Sequence, residues 1–117
     1  MRVYVAGPLS SKEKDNRNPS TVVVDYISNV SRMCRVAGIL RKAGHYPYVP
    51  GMDFLLGVVD GGFDEEDYRG AGMAFLEVCD AVFVLGMSHG VGLEVERAKE
   101  LRIPVYYRLK DLVPEAR

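Results

Sequence analysis

The sequence has no tryptophan and only two cysteines, Cys34 and Cys79. Neither cysteine belongs to a CxxC pair, and with only His45 and His89 beside them the spacing of a zinc site is missing. Both cysteines stand among apolar residues, which predicts two buried, reduced thiols of the kind found in cytoplasmic proteins. We therefore expect no metal site and no cofactor.

An excess of positive charge is also missing, since 15 Lys and Arg residues face 16 Asp and Glu residues and the net charge is −1. A protein that binds the phosphate backbone of duplex nucleic acid is expected to be basic, so we expect no such partner. No apolar run approaches the roughly 20 residues of a membrane span, and the first residues lack the pattern of a signal peptide. We expect a cytoplasmic protein without a membrane partner.

What is present is the composition of one globular domain. The 117 residues are 48% hydrophobic and 26% charged, which is ordinary for a soluble protein and excludes disorder over the whole chain. This length is enough to bury a core without metal or disulfide support. We therefore predict a single domain over residues 1–117.

Hydrophobic patterning predicts strands that alternate with helices along the chain. Strands are expected at 2–6, 46–50, 81–85 and 103–107, and helices at about 25–43, 71–78 and 91–101. Asn18 and Pro19 could open the first helix earlier, as cap and first residue, whereas the acidic run 64–67 is expected to be a solvated loop. The pattern indicates an α/β fold, a flavodoxin-like or Rossmann-like three-layer sandwich with a mainly parallel sheet of four or five strands.

In parallel sheets of this kind, ligands lie beyond the carboxyl ends of the strands. After the first strand this places Gly7 and Ser10 at the expected binding site, and after the third strand it places a turn with three glycines, Gly86, Gly90 and Gly92. The glycines would let the backbone approach a ligand, and the free N–H groups of the next helix suit an anion. The alternative is a plain tight turn, for which glycines are equally common.

Glu94 is the sharper candidate within the helix that follows this turn. At about 100° per residue, Glu94 falls in the same arc as Val91 and Val95, whereas Glu96 and Glu100 fall on the opposite side. A carboxylate on the inward face of a first helical turn has the surroundings of a nucleophile or general base. The alternative is an acidic residue that only complements the helix dipole.

The segment 86–90 also matches the G-x-S-x-G pattern of serine hydrolases, an interpretation that we reject. That chemistry requires an acid and then a histidine downstream of the serine, and no histidine follows His89. Ser88 is more plausible as a hydroxyl donor to a phosphate or a sugar. Tyr4, in the middle of the first strand, could be a core residue or could turn its hydroxyl toward the ligand.

Three segments together resemble the nucleoside 2-deoxyribosyltransferase-like superfamily, which includes deoxyribosyltransferases and nucleoside 5′-monophosphate N-glycosidases. They are VYVAGP at 3–8, CDAVFV at 79–84, and the pattern S-x-G-V-G-x-E-x-x-x-A from Ser88 to Ala98. The resemblance covers most of the chain apart from residues 10–24 and 51–69. It implies cleavage or transfer at the N-glycosidic bond of a nucleoside or nucleoside 5′-monophosphate, as an N-glycosidase or a deoxyribosyltransferase.

The resemblance also assigns roles to single residues. It implies that Glu94 is the nucleophile that attacks the anomeric carbon, with Tyr4 close to it. Ser88 would help to bind the 5′-phosphate, and Gly90 and Gly92 would supply the adjoining backbone N–H groups. A catalytically silent nucleotide-binding or sensor domain that uses the same cleft is the alternative.

One position departs from the family pattern. The aspartate that commonly assists the departing base is replaced here by Gly72. Asp67, or the nearby Asp64, could stand in for it from the neighbouring loop. Without such an acid, the domain would be a weaker hydrolase, act on another leaving group, or only bind nucleotides.

The resemblance further implies a homodimer or a higher even oligomer in which a neighbouring copy completes the site. The first helix agrees with this, because Val36 and Ile39 widen the apolar arc already formed by Ala37 and Leu40. A helix that is apolar over so wide an arc usually buries a second face.

Overall fold

A computed structural model of the chain describes residues 1–9 and 18–114. In it four strands form one parallel sheet, in the order β2-β1-β3-β4. The strands are β1 (Arg2–Ala6), β2 (Tyr46–Tyr48), β3 (Ala81–Val84) and β4 (Val105–Tyr106). The α/β class and the parallel sheet predicted from the sequence are confirmed.

Helices cover both faces of this sheet and complete the three layers. They are α1 (Pro19–Lys42), α2 (Phe54–Asp60), α3 (Glu65–Leu76) and α4 (His89–Glu100), with 3₁₀ helices at Pro50–Asp53 and Leu109–Asp111. Residues of α3 and α4 join the apolar cluster on one face, and residues of α1 join the cluster on the other. None of the helices in the described ranges is long and apolar enough to cross a membrane.

The two faces are built by the alternation of side chains along β1. Tyr4 and Ala6 belong to the cluster under α3 and α4, whereas Val3 and Val5 belong to the cluster under α1. Successive side chains of a strand point to opposite faces, so a strand covered on both sides is apolar throughout. All four residues of β3 are buried for the same reason.

The first helix begins where Asn18 and Pro19 indicated it could. Pro19 is the first helical residue, and the side chain of Asn18 accepts a hydrogen bond from the Ser20 backbone N–H at 3.1 Å. The β-branched run 21–24 is helical as well. The cap and the proline therefore outweigh the weak helix propensity of these residues.

Two local predictions were wrong. The acidic run 64–67 is exposed but not a loop, because Asp64 caps α3 and forms a reciprocal capping box with Asp67. Carboxylates in the first turn also complement the helix dipole, which explains why so acidic a segment begins a helix. Cys79 is buried as predicted, but Cys34 is exposed on α1.

Candidate functional site

The centre of the candidate site is a contact between Tyr4 on β1 and Glu94 on α4. The Tyr4 hydroxyl donates a hydrogen bond to Oε2 of Glu94, across 90 residues of sequence. Tyr4 is 1% exposed, and Glu94 is partly buried. Glu94 faces inward, as its helical position predicts, and Tyr4 is a core residue whose hydroxyl is turned toward α4.

Burial shapes the protonation of both groups. It raises the pKa of Glu94 above the usual carboxyl value, and the hydrogen bond from Tyr4 opposes that rise by stabilising the carboxylate. Burial, and then the charge of Glu94, raise the pKa of Tyr4, so its hydroxyl stays protonated and remains a donor. The arrangement holds a poorly solvated carboxylate in place by one phenolic proton, which suits a nucleophile.

Gly72 on α3 faces the same hydroxyl from the other side. A Cβ placed at Gly72 would lie 2.9 Å from the Tyr4 oxygen, which is closer than ordinary van der Waals contact. Position 72 therefore adjoins the Tyr4–Glu94 contact, and its glycine leaves room for the buried tyrosine.

A second tyrosine–carboxylate pair, which the sequence analysis did not identify, stands beside the first. Tyr48 on β2 is in register with Tyr4, and their ring centroids are 5.6 Å apart. The Tyr48 hydroxyl donates to Oδ2 of Asp53 at 2.6 Å. Burial and the bond to Asp53 raise the pKa of Tyr48. The available signal was that Asp53 follows the carboxyl end of β2, the edge at which parallel sheets of this kind bind ligands.

An aromatic stack closes the site on the β2 side. The rings of Tyr48 and Phe75 of α3 are stacked, with centroids 4.8 Å apart and planes at 20°. Phe75 is nevertheless 52% exposed. The stack leaves an aromatic surface at the edge of the site, which suits a planar ligand.

Ser88 caps α4 at the other end of the site. Its hydroxyl accepts from the Val91 N–H at 3.2 Å, and its carbonyl accepts from the Gly92 N–H at 2.9 Å. The Ser88 hydroxyl can still donate its own proton. The N–H of Gly90 belongs to the first turn, where α-helices leave donors without intrahelical partners, whereas that of Gly92 is already engaged.

The carboxyl ends of β1 and β3 lie side by side, as expected if residues after both strands contribute to one site. A Cβ at Gly7 would lie 3.5 Å from Cβ of Leu85, and a Cβ at Gly86 would lie 3.2 Å from Cδ of Pro8. Gly7 is thus placed at the strand end beside the turn that leads to Ser88. Ser10 lies outside the described residues.

Asp67 is not brought into this arrangement. Its carboxylate accepts from the Asp64 N–H at 2.9 Å in the capping box, and its side chain is exposed. Five residues separate it from Gly72, which corresponds to about 7.5 Å along the helix and about 140° around it. Asp53, rather than Asp67 or Asp64, is the aspartate that stands near Tyr4.

Within the described ranges, no group of three or more His, Cys, Asp and Glu side chains could hold a metal ion.

Comparisons with known proteins identify a family for this chain. The searches for similar curated proteins and for similar solved structures gave no match. Residues 1–108 match the family model described as Domain of unknown function (DUF7768). Because this match spans most of the chain, the protein belongs to the DUF7768 family.

Proposed function

We propose that this protein cleaves or transfers at the N-glycosidic bond of a nucleoside or nucleoside 5′-monophosphate, with Glu94 as the nucleophile. The observation that carries the proposal is the hydrogen bond from the buried Tyr4 hydroxyl to the Glu94 carboxylate. It joins two residues to which the resemblance gives adjoining roles, and it lies on the sheet face covered by α3 and α4, on the helix that begins after the carboxyl end of β3.

The proposed reaction has two steps at the anomeric carbon. A Glu94 carboxylate oxygen attacks this carbon and forms a glycosyl ester, while the C–N bond breaks and its electron pair passes to the departing base. The base takes up a proton from solvent or from a neighbouring group. Water, which loses a proton to solvent, or a second base then attacks the same carbon and releases Glu94 as a carboxylate.

Tyr4 positions the nucleophile in both steps. Its hydroxyl holds one carboxylate oxygen and leaves the other available for attack. It also stabilises the ionised form against the burial that raises the pKa of Glu94. When Glu94 departs from the glycosyl ester, the same hydrogen bond is restored to the developing carboxylate.

A phosphate on the substrate would lie at the start of α4. The Ser88 hydroxyl and the first-turn N–H groups, including that of Gly90, are donors next to the positive end of the helix dipole. Ser88 and Glu94 are six residues apart on one helix, roughly 9 Å along its axis. A cytoplasmic location belongs to the same proposal, because nucleoside monophosphates are cytoplasmic metabolites.

The alternative function, a silent nucleotide-binding domain, also has an observation in its favour. The family acid is replaced by Gly72, and Asp67 is engaged in the cap of α3. A domain that binds the nucleotide but lacks help for the departing base would keep the site and lose turnover.

Release of free base separates the two functions. The protein is incubated with ribo- and deoxyribonucleoside 5′-monophosphates, and free base is quantified by chromatography. We expect release by the native protein, loss of release in Glu94→Gln, and full release in the matched control Glu96→Gln, whose side chain is exposed on the same helix. Base release that survives in Glu94→Gln would contradict the nucleophile, and binding without release would favour the silent domain.

We also propose that the protein forms a homodimer or a higher even oligomer. Exposed apolar residues line the outer side of α1 and α2, among them Val23, Val24, Ile27, Val58 and Val59. A groove of about 280 Å³ lies between α1 and the segment 52–54. Exposed apolar surface of this extent is typical of an interface.

Light scattering at micromolar concentration tests this proposal. We expect the mass of a dimer or its multiple, and a shift toward monomer in Ile27→Lys but not in the control Val78→Lys, which changes an exposed apolar residue outside α1 and α2. A monomer mass at ten times that concentration, in protein that binds nucleotide, would contradict a shared site.

A further inference from the structure

Two tyrosine–carboxylate pairs stand side by side on one face of the sheet. Tyr4 and Tyr48 are partners in the register of β1 and β2. Tyr4 donates to Glu94, and Tyr48 donates to Asp53. The two carboxylates come from different parts of the chain, α4 and the 3₁₀ helix after β2, yet each is bound by one hydroxyl of the same aromatic pair.

These pairs leave the site rich in acceptors. Each tyrosine hydroxyl has one proton, and in both pairs that proton is already donated to a carboxylate. The pKa of each tyrosine is raised, so neither gives up its proton altogether. Within the described residues, the Asp53 carboxylate accepts no other hydrogen bond. Lone pairs of the Tyr48 oxygen and of Asp53 Oδ1 therefore remain for a ligand.

In the proposed complex, the sheet order would place this acceptor pair at the base end of the nucleotide. Helix α4 starts after β3, with Ser88 at its cap, Tyr4 lies on the adjacent β1, and Tyr48 lies on β2 beyond it. Neighbouring strands are about 4.8 Å apart. A nucleotide with its phosphate at Ser88 and its anomeric carbon at Glu94 then directs its base toward Tyr48 and Asp53, beside Phe75.

We infer that Tyr48 and Asp53 form a base-recognition subsite that selects bases with an exocyclic amino group, as in adenine and cytosine, over their oxo counterparts, hypoxanthine and uracil. An amino group brings two N–H donors on one atom to a surface of acceptors. A carbonyl oxygen at the same position places lone pairs against lone pairs and leaves these acceptors without donors. Asp53 is thus a specificity-determining residue, an inference that rests on the proposed nucleotide substrate.

The test compares matched amino and oxo ligands. Binding of AMP against IMP and of CMP against UMP, each also as the 2′-deoxy form, is measured by calorimetry in the Glu94→Gln background, which prevents turnover. We expect the amino member of at least one pair to bind tenfold more tightly or better. The variant Asp53→Asn should bring this ratio to one or invert it, because its amide oxygen can accept from Tyr48 while its NH₂ group faces the ligand.

Two further variants support the interpretation of this result. Asp60→Asn makes the same change at an exposed aspartate and should leave the ratio unaltered. Tyr48→Phe keeps a ring against Phe75 but removes one acceptor, so it should lower the ratio by less than Asp53→Asn. Thermal unfolding of each variant confirms that it is folded.

The outcomes separate this inference from the proposed reaction. Equal binding of both members of each pair, or a ratio that Asp53→Asn leaves unchanged, overturns the subsite even if the native protein releases base. Selective binding that depends on Asp53, without base release by the native protein, upholds the subsite and overturns the reaction. Failure of all these nucleotides to bind overturns both.

Discussion

The contact between Gly72 and the Tyr4 hydroxyl can be tested by a double-mutant cycle. A Cβ at Gly72 would lie 2.9 Å from the Tyr4 oxygen. Within the described chain, and apart from its own helix and chain neighbours, this oxygen is the only atom within 4 Å. Tyr4 is 1% exposed and packs on Tyr48, so its hydroxyl cannot withdraw without disturbing the core.

The expected magnitudes follow from two opposing effects. Overpacking a core costs about 1–3 kcal/mol, while replacing glycine by alanine within a helix gains about 1 kcal/mol. Gly72→Ala should therefore lower the free energy of unfolding by roughly 0–2 kcal/mol. In the Tyr4→Phe background the obstructing oxygen is gone. There, Gly72→Ala should raise the free energy of unfolding by up to about 1 kcal/mol.

The assay is urea denaturation of the four proteins of the cycle, on the basis that a small single domain unfolds in one transition. We expect a coupling energy between the two sites of about 1–3 kcal/mol. Gly70→Ala is the matched control, because it lies in the same helix and a Cβ there would meet nothing within 4 Å. Gly70→Ala should raise the free energy of unfolding by the helix-propensity contribution in both the native and the Tyr4→Phe backgrounds.

Effects of Gly72→Ala and Tyr4→Phe that add to within about 0.5 kcal/mol would refute the reasoning. Additivity would mean that the tyrosine hydroxyl does not occupy the space beside Gly72. The explanation for the glycine at position 72, that it leaves room for a buried tyrosine, would then fail as well.

Three other predictions concern the pH profile, the phosphate site and the start of α3. In the proposed reaction Glu94 reacts as the carboxylate, and the hydrogen bond from Tyr4 lowers its pKa. Tyr4→Phe should therefore raise that pKa and move the acid limb of kcat/KM to higher pH; an unmoved limb in a pH–rate profile would contradict the assignment. Ser88→Ala should weaken 5′-monophosphate binding by about 0.5–1.5 kcal/mol and hardly affect the unphosphorylated nucleoside, whereas Asn18→Ala, which removes another helix cap, should affect neither. Asp64→Ala should lower the free energy of unfolding by about 1 kcal/mol, because the capping box is lost. An unchanged midpoint of thermal unfolding would show that the box does not stabilise the protein.

The sequence alone determined the elements whose signals are local. The alternation along β1, the continuous apolar run of β3 and the cap at Asn18 are each read within a few residues. The inward face of Glu94 follows in the same way, because helical periodicity is a local property. In the acidic run 64–67, the charge favoured a solvated loop, whereas the capping geometry of Asp64 and Asp67 favoured the start of a helix. The helix forms, so the predicted loop was wrong.

Only the tertiary structure decided how these elements meet. The partner of Glu94 is 90 residues away, and the pairing of Tyr4 with Tyr48 depends on the register of two parallel strands joined by a long helix. Neither the register nor the approach of α4 to β1 can be predicted from any short stretch of sequence, because both are set by packing across the sheet. Asp53 lay at the predicted edge but could not be singled out, since its place beside Tyr4 depends on that register.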